Sequence, residues 1–303
     1  MDFYFTQFPL IPQAARRVIR YGSLLLASLL LSACALTSGE RYQQIQQEAK
    51  ASGFAPVHFG SQPALSGLLR AQPNTPPAYL WVVIEGDGRA WLNMREPSMD
   101  PSPVDAVGWR LAKEISQKTV LYLARPCQYV SSDDLASCTV LDWTEGRFAE
   151  KWVQRLNVAL DQAKRMTRAQ KLVLAGYSGG GVMAALLAAR RDDVALLVTL
   201  ASPLDHAAWT THHKVTPLSA SLSVAAVQQK LARLPQLHVV GADDNIVPPF
   251  LMQDFLRRYP SDTPAELVTL PGVDHRLRTA IDLSRIKSSR SLLPSIDGRD
   301  TYP

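Results

Sequence analysis

A serine stands at the point where a short apolar run meets a helix-like segment. Ser178 is the centre of Gly-Tyr-Ser-Gly-Gly, which follows the apolar run 172–175 and leads into an alanine- and leucine-rich stretch. On such a strand–turn–helix junction, Gly176 and Gly180 are small enough to let the strand and helix pack closely. The helix N-terminus can also stabilise an anion that forms nearby. The pattern therefore predicts a nucleophilic serine, and the alternative is a glycine-rich turn with an ordinary serine.

A nucleophilic serine needs a base and an acid, and two later strand ends offer them. A serine hydroxyl is a weak nucleophile, so His275 would take its proton and return it to the leaving group. The histidine needs a carboxylate on its other ring nitrogen. Asp243, Asp244 and Asp205 all follow predicted strands and are the candidate acids.

The negative charge that develops on the substrate needs two N–H donors. One should be the backbone of Gly179, the residue after the nucleophile, and the other should come from the loop after the strand 78–85. Gly86 and Asp87 are the candidates in that loop. The alternative is that this loop is a plain polar turn.

The elements that must position these residues alternate between apolar strands and helical patterns. This alternation predicts an α/β fold with a mainly parallel sheet covered by helices on both faces. In such sheets, the functional site lies beyond the carboxyl ends of the strands. The predicted strands are 65–71, 78–85, 119–124, 171–177, 194–200, 237–241 and 265–270. The predicted helices are 104–117, 147–166, the segment after Ser178 up to residue 190, 249–259 and a final helix before a polar tail.

One long connection and two cysteines fall near the predicted site. Residues 201–234 are too many for a simple connection and are expected to form a small cap that shapes the substrate pocket, with Trp209 either lining it or packing the cap onto the sheet. Cys127 and Cys138 are expected to form a disulfide, as leftover cysteines do in an oxidising compartment. That bridge would be a rigid wall of the cleft or only a stabilising link.

The N-terminal segment has the pattern of a secretory leader. A basic segment ending at Arg20 precedes the apolar core 24–31, which is too short to span a membrane. Leu-Ser-Ala-Cys then ends at Cys34 and resembles the lipobox of bacterial lipoproteins, in which this cysteine is lipidated. The alternative is a secreted protein with a free cysteine. We therefore expect a lipoprotein signal peptide at 1–33, a lipidated N-terminus and solvated tether at 34–60, and a catalytic domain at 61–303. Within the tether, residues 40–50 are predicted to form a short helix with one apolar side.

Composition narrows the class of protein. The 303 residues are 47% apolar and 19% charged, which is typical of a folded chain and excludes a disordered one. The net charge of +5 is too small to indicate a nucleic-acid partner. The pair His212 and His213 lacks metal-ligand spacing, and His238 lies inside a predicted strand, so we expect no metal and no cofactor.

The chain resembles the α/β-hydrolase superfamily. The segments that carry the resemblance are 84–91, 125–129, 176–181 and 204–209, and together they resemble poorly characterised bacterial α/β-hydrolase lipoproteins. The order serine, acid, histidine is that of the superfamily. The stretch 241–248, Gly-x-x-Asp-x-x-Val-Pro, resembles its acid loop and favours Asp244, with Asp243 as the near alternative and Asp205 as the distant one.

The resemblance implies a serine hydrolase that cleaves a small acyl ester through an acyl-enzyme. A peptidase or acyltransferase with the same triad is the first alternative, and a non-catalytic envelope scaffold is the second. An alanine follows Cys34 where an aspartate would be a retention signal. By resemblance to lipoprotein sorting, the protein is expected on the outer membrane, facing the periplasm.

Overall fold

The computed structural model describes residues 37–72, 76–93, 95–116 and 119–278. The predicted signal peptide, Cys34 and the predicted final helix lie outside these ranges. Within them, no helix combines the length and the apolar character that crossing a membrane requires.

Eight strands and eight α-helices form the described part of the chain. They are α1 (Ser38–Ala51), β1 (Ala55–Phe59), β2 (Leu65–Arg70), β3 (Tyr79–Ile84), α2 (Val107–Glu114), β4 (Val120–Leu123), α3 (Ser132–Ala136), α4 (Glu150–Thr167), β5 (Lys171–Tyr177), α5 (Gly179–Ala188), β6 (Val194–Leu200), α6 (His206–His213), α7 (Val224–Leu231), β7 (Gln236–Gly241), α8 (Pro249–Leu256) and β8 (Ala265–Leu270). A 3₁₀ turn occupies Val140–Trp143.

The strands form one sheet in the order β1-β2-β4-β3-β5-β6-β7-β8. β1 and β2 are antiparallel to their neighbours, and the pairs from β4 to β8 are parallel. The chain moves from β3 outward to β4 and then returns to place β5 on the other side of β3. Such a reversal opens a crevice at the carboxyl ends of the strands. The predicted α/β fold is therefore confirmed.

Helices cover both faces of the sheet, as the continuously apolar strands require. One apolar layer lies under α4, α5, α7 and α8, and the other lies under α1 and α2. β3 and β5 sit in the middle, with nearly every residue buried. The central strands are therefore the rigid base from which the loops of the site extend.

The solvated tether predicted at 34–60 is wrong for the described residues 38–60. Tyr42, Ile45 and Ala49 on α1 are buried in the layer that also contains Trp109, and β1 pairs with β2. The sequence does not make this contact evident, because α1 is rich in glutamine and only one narrow side of it is apolar. The folded domain thus includes α1 and β1.

Only part of the segment 201–234, which is predicted to form a cap, lies at the cleft. Its second helix, α7, packs on α5, and Gln228 donates from its amide to the carbonyl oxygen of Phe255 on α8. α7 is the crossover that any parallel β6–β7 connection needs. Only α6 and the loops beside it reach the cleft.

Candidate active site

Ser178 sits on a strained turn between β5 and α5. Its φ of 50° lies in the left-handed region, which costs a non-glycine residue of the order of 1–3 kcal/mol. A side chain cannot replace the flanking glycines, since a Cβ on Gly176 would lie 2.3 Å from the Gly180 backbone. A Cβ on Gly180 would lie 2.3 Å from the carbonyl oxygen of Ile84. The turn therefore presents the half-buried Ser178 hydroxyl above the sheet.

A continuous series of hydrogen bonds joins the serine, the histidine and one aspartate. His275 Nε2 lies 3.2 Å from Ser178 Oγ, and His275 Nδ1 lies 2.8 Å from Asp244 Oδ2. The other oxygen of Asp244 accepts the backbone N–H groups of Ile246 and Val247, at 2.8 and 2.7 Å. The carboxylate of Asp244 is only 2% exposed. The two backbone bonds hold it in one orientation toward the histidine.

The other two candidate acids lie elsewhere. Asp243 is exposed, and its backbone N–H donates to the carbonyl of Val273, while its carboxylate has no hydrogen bond within the described part of the chain. Asp205 caps the N-terminus of α6 and pairs with Arg258 at 2.7 Å. Of the three candidate aspartates, only Asp244 contacts His275.

The two amides predicted as oxyanion donors differ. Gly179 is the first residue of α5, so its N–H has no partner inside the helix. The N–H of Gly86 is already bonded to the Glu85 carboxylate at 2.8 Å, so Gly86 does not fit the predicted role. The N–H of Asp87 has no partner among the described residues, so it remains the candidate for the second donor.

Glu85 is a part of the site that sequence reasoning missed. Its carboxylate is 1% exposed and accepts bonds from the N–H groups of Gly86, Gly108 and Trp109 and from the hydroxyl of Tyr122. Burial raises the pKa of Glu85. The side chain fastens the loop after β3 to the first turn of α2, and the sequence signal was only an acid directly after an apolar strand.

The Asp87 side chain, for which the sequence predicts no role, also belongs to the site. A Cβ on Gly179 would lie 2.0 Å from Asp87 Oδ1, so this carboxylate rests against the candidate oxyanion donor. Arg125 Nη1 and Arg147 Nη1 bind its two oxygens at 3.0 and 2.7 Å. Although burial alone would raise the pKa of Asp87, the charges of Arg147 and Arg125 hold it below the usual value.

Ser178 and His275 open into a cavity of about 640 Å³. The volume suits a small or medium-sized organic substrate. Its apolar walls come from Trp91, Val104, Val107, Phe148, Trp209, Leu218, Ile246 and Val247. Trp209 also donates from its indole N–H to the carbonyl of Ile246 at 2.7 Å, so it both lines the cavity and ties α6 to the acid loop.

Three of the other five histidines serve the fold or the cavity wall. His238 is fully buried against the Thr199 hydroxyl at 2.7 Å, and burial lowers its pKa to about 3. His206 lines the cavity and contacts the carbonyl of Leu222 through Nε2. His213 contacts the carbonyl of Ile246. Over the described ranges, no group of three His, Cys, Asp or Glu side chains could hold a metal ion.

Cys127 and Cys138 are joined by a disulfide, but residues 126–138 contribute nothing to the cavity lining. Of the two alternatives, the wall of the cleft is therefore wrong, and the stabilising link agrees with the structure. Inside the bridged loop, the Gln128 amide donates to the carbonyl of Gly86 at 3.0 Å. The loop supports the site from behind.

A mostly parallel eight-stranded sheet with a nucleophile-type serine turn defines an α/β hydrolase, and the protein is an enzyme of the serine-hydrolase type. Residues 116–276 match the family model described as serine hydrolase (FSH1), which covers more than half of the chain. The chain belongs to this family. No curated protein matches the sequence.

Solved structures share the fold at low sequence identity. A lidless α/β serine hydrolase from Xanthomonas campestris is 19% identical with a TM-score of 0.50, covering 76% of this chain and 89% of its own. Est1E from Butyrivibrio proteoclasticus is 17% identical with a TM-score of 0.52, covering 74% and 91%. The acylaminoacyl peptidase of Pyrococcus horikoshii is 14% identical with a TM-score of 0.54, covering 76% of this chain and 39% of its own.

Proposed function

We propose that the protein hydrolyses acyl esters through a Ser178–His275–Asp244 triad and an acyl-enzyme. Ser178 Oγ attacks the ester carbonyl carbon while its proton passes to His275 Nε2. Asp244 holds the ring and stabilises the imidazolium. The amides of Gly179 and Asp87 bind the oxyanion of the tetrahedral intermediate.

The intermediate then collapses. The bond from the carbonyl carbon to the leaving oxygen breaks, and His275 gives its proton to the departing alcohol. A water molecule, deprotonated by the same histidine, attacks the acyl-enzyme and releases the carboxylic acid and free Ser178.

One observation supports this reaction above the others. The distances of 3.2 Å from His275 Nε2 to Ser178 Oγ and 2.8 Å from His275 Nδ1 to Asp244 Oδ2 are those of a nucleophile, base and orienting acid. A binding or scaffold protein would not need a serine at positive φ bonded to such a pair.

Labelling by an active-site fluorophosphonate tests the proposal. Wild type should react, Ser178→Ala should not, and Ser219→Ala, an exposed serine on the loop after α6, should react like wild type. Equal labelling of wild type and Ser178→Ala, or none in either, would show that the proposal is wrong.

A substrate panel separates ester hydrolysis from its alternatives. Short and long p-nitrophenyl esters are compared with aminoacyl anilides and with ester cleavage in the presence of an added alcohol or amine acceptor. We expect ester hydrolysis to dominate. Faster anilide cleavage would indicate a peptidase, and acyl transfer that outpaces hydrolysis would indicate an acyltransferase.

We also propose that the enzyme is a lipoprotein anchored through Cys34 and sorted to the outer membrane, facing the periplasm. The support is the Leu-Ser-Ala-Cys sequence after an apolar core, followed by Ala35. Cys34→Ala should abolish labelling by an alkyne fatty acid and release the protein from membranes, whereas Leu36→Ala should do neither. Unchanged membrane retention of Cys34→Ala would contradict the anchor. Recovery with the inner membrane would contradict the sorting.

A further inference from the structure

The charged residues of the cavity are balanced in number but not in their pairing. Three acids and three arginines line it: Glu85, Asp87, Asp105, Arg89, Arg147 and Arg276. What matters for a substrate is which of these charges is already neutralised by protein groups.

Each of the three acids has partners among protein groups, either outside the cavity or in its wall. Asp105 pairs with Arg110, at 3.0 Å and 3.2 Å from its two oxygens. Asp87 is held between Arg125, which is not part of the cavity lining, and Arg147, so this cluster keeps one excess positive charge. Glu85 is 1% exposed, and its two oxygens accept four hydrogen bonds from protein groups, so its carboxylate already has partners in the wall.

The arginines are not neutralised to the same degree. Arg147 uses Nη1 on Asp87 and Nε on the carbonyl of Thr144, while its Nη2 has no partner among the described residues. The side chains of Arg89 and Arg276 are exposed, and neither bonds to any residue that the structure describes. Three arginines thus line the cavity that holds Ser178. Arg147 shares Asp87 with Arg125, and Arg89 and Arg276 have no carboxylate partner among the described residues.

We propose that the cavity selects acyl esters that carry an anionic group, a carboxylate or a phosphate, with Arg147 at the wall and Arg89 and Arg276 at the mouth. This inference rests on the ester hydrolysis proposed at Ser178. Guanidinium groups bind carboxylate and phosphate oxygens in fixed, often bidentate geometry. The apolar walls would hold the uncharged part of the same molecule.

Matched substrates test the preference. The p-nitrophenyl half-ester of glutaric acid and p-nitrophenyl valerate differ mainly by one charge on the acyl side. On the leaving-group side, 4-acetoxybenzoate is compared with 4-acetoxybenzamide, and 4-acetoxyphenyl phosphate adds a phosphate arm. We expect the anionic ester to have the higher kcat/KM in at least one pair, and the arm in which this occurs identifies the position and type of the anion.

The selectivity ratio, anionic over neutral kcat/KM, should fall about two- to fivefold in Arg89→Gln and in Arg276→Gln, the range expected for a partly exposed charge pair. It should fall further in the double variant and with added salt. Arg233→Gln removes an exposed arginine that does not line the cavity and should leave the ratio unchanged. A ratio below one in every pair, or one that neither variant lowers, would overturn the proposal.

A binding measurement decides the matter even if the proposed reaction fails. Ser178→Ala keeps the cavity, so its melting temperature is measured with 4-acetoxybenzoate and with 4-acetoxybenzamide. The anion should raise Tm more than the amide, and Arg89→Gln with Arg276→Gln in the same background should remove the difference. Equal shifts would overturn the anion preference, whereas absent fluorophosphonate labelling would overturn only the triad.

Discussion

Replacing Glu85 by alanine would remove one acceptor that four buried donors share. Gly86 and Gly108 donate their N–H groups to one oxygen at 2.8 and 3.0 Å. The N–H of Trp109 and the hydroxyl of Tyr122 donate to the other oxygen at 3.3 and 3.1 Å. Glu85 is 1% exposed, so the four donors have this buried carboxylate as their acceptor in the native protein.

The cost follows from the number of donors left without a partner. An unpaired buried donor costs roughly 1–3 kcal/mol. Counting only the two shortest bonds, those of Gly86 and Gly108, Glu85→Ala should lower the free energy of unfolding by about 4 kcal/mol. Glu85→Gln keeps an oxygen for these two donors, and its amide N–H can donate to the Tyr122 hydroxyl in place of the bond that this hydroxyl now donates. Only the long bond from Trp109 is then lost without replacement, so the substitution should cost about 1 kcal/mol.

Thermal and urea unfolding, followed by tryptophan fluorescence, measure the difference. A domain of this size shifts its Tm by about 2–4 °C per kcal/mol, so Glu85→Ala should melt roughly 8 to 16 °C below wild type and Glu85→Gln roughly 2 to 4 °C below. Ester hydrolysis at a temperature where both variants are folded should fall more in Glu85→Ala, because its loop no longer fixes the Asp87 N–H.

The pH dependence of stability gives a second measurement. Burial raises the pKa of Glu85 above its unfolded value, so the stability it contributes is fully present below the unfolded pKa and is lost as the pH rises through the folded pKa. Since Glu85→Gln does not titrate, the stability of wild type relative to this variant should fall as the pH rises. Equal destabilisation by both substitutions, or a Tm of Glu85→Ala within about 2 °C of wild type, would refute the reasoning, since this is less than about 1 kcal/mol.

Three further changes probe other parts of the site. Asp244→Asn should lower kcat by up to about 10⁴-fold, as loss of the orienting acid does in other triads, while Asp243→Asn should stay within about twofold in the same ester assay. Gly180→Ala places a Cβ 2.3 Å from the carbonyl oxygen of Ile84 and should lower Tm and activity together, with Ser178→Ala as the folded, inactive reference. Cys127→Ser should cost about 3 kcal/mol in urea unfolding, because the bridge closes a loop with a separation of 11 residues. A cost equal to that of adding reductant to wild type identifies the bridge as its source.

The sequence predicts the central fold well because buried parallel strands are uninterrupted apolar runs. The strands at 171–177, 194–200 and 265–270 have the bounds that the apolar runs predict. The positions of Ser178 and His275 beyond strand ends follow from the topology. Apolar runs do not show which polar groups a buried side chain will hydrogen-bond. For this reason the prediction of Gly86 as an oxyanion donor, in the loop after β3, fails.

Gly86 shows this limit most clearly. As a glycine beyond an apolar strand, it suits an oxyanion donor, and nothing in the chain around it indicates otherwise. The structure places the Glu85 carboxylate within 2.8 Å of its N–H, so the donor is used before any substrate arrives. The hydrogen bond that the buried carboxylate accepts from its own loop depends on the packing of α2, which lies more than twenty residues away.

The negative charge of the Asp87 side chain lies close to the site where the oxyanion would form, and neighbouring arginines compensate it. An unpaired carboxylate against Gly179 would oppose the negative charge that forms on the substrate. Two arginines on separate segments, Arg125 after β4 and Arg147 before α4, bind it and leave the cluster with a net positive charge. The same cluster therefore holds the loop that carries the Asp87 N–H and favours negative charge above Ser178. The stability of this loop and the contribution of Arg147 to the proposed anion preference thus depend on the same three side chains.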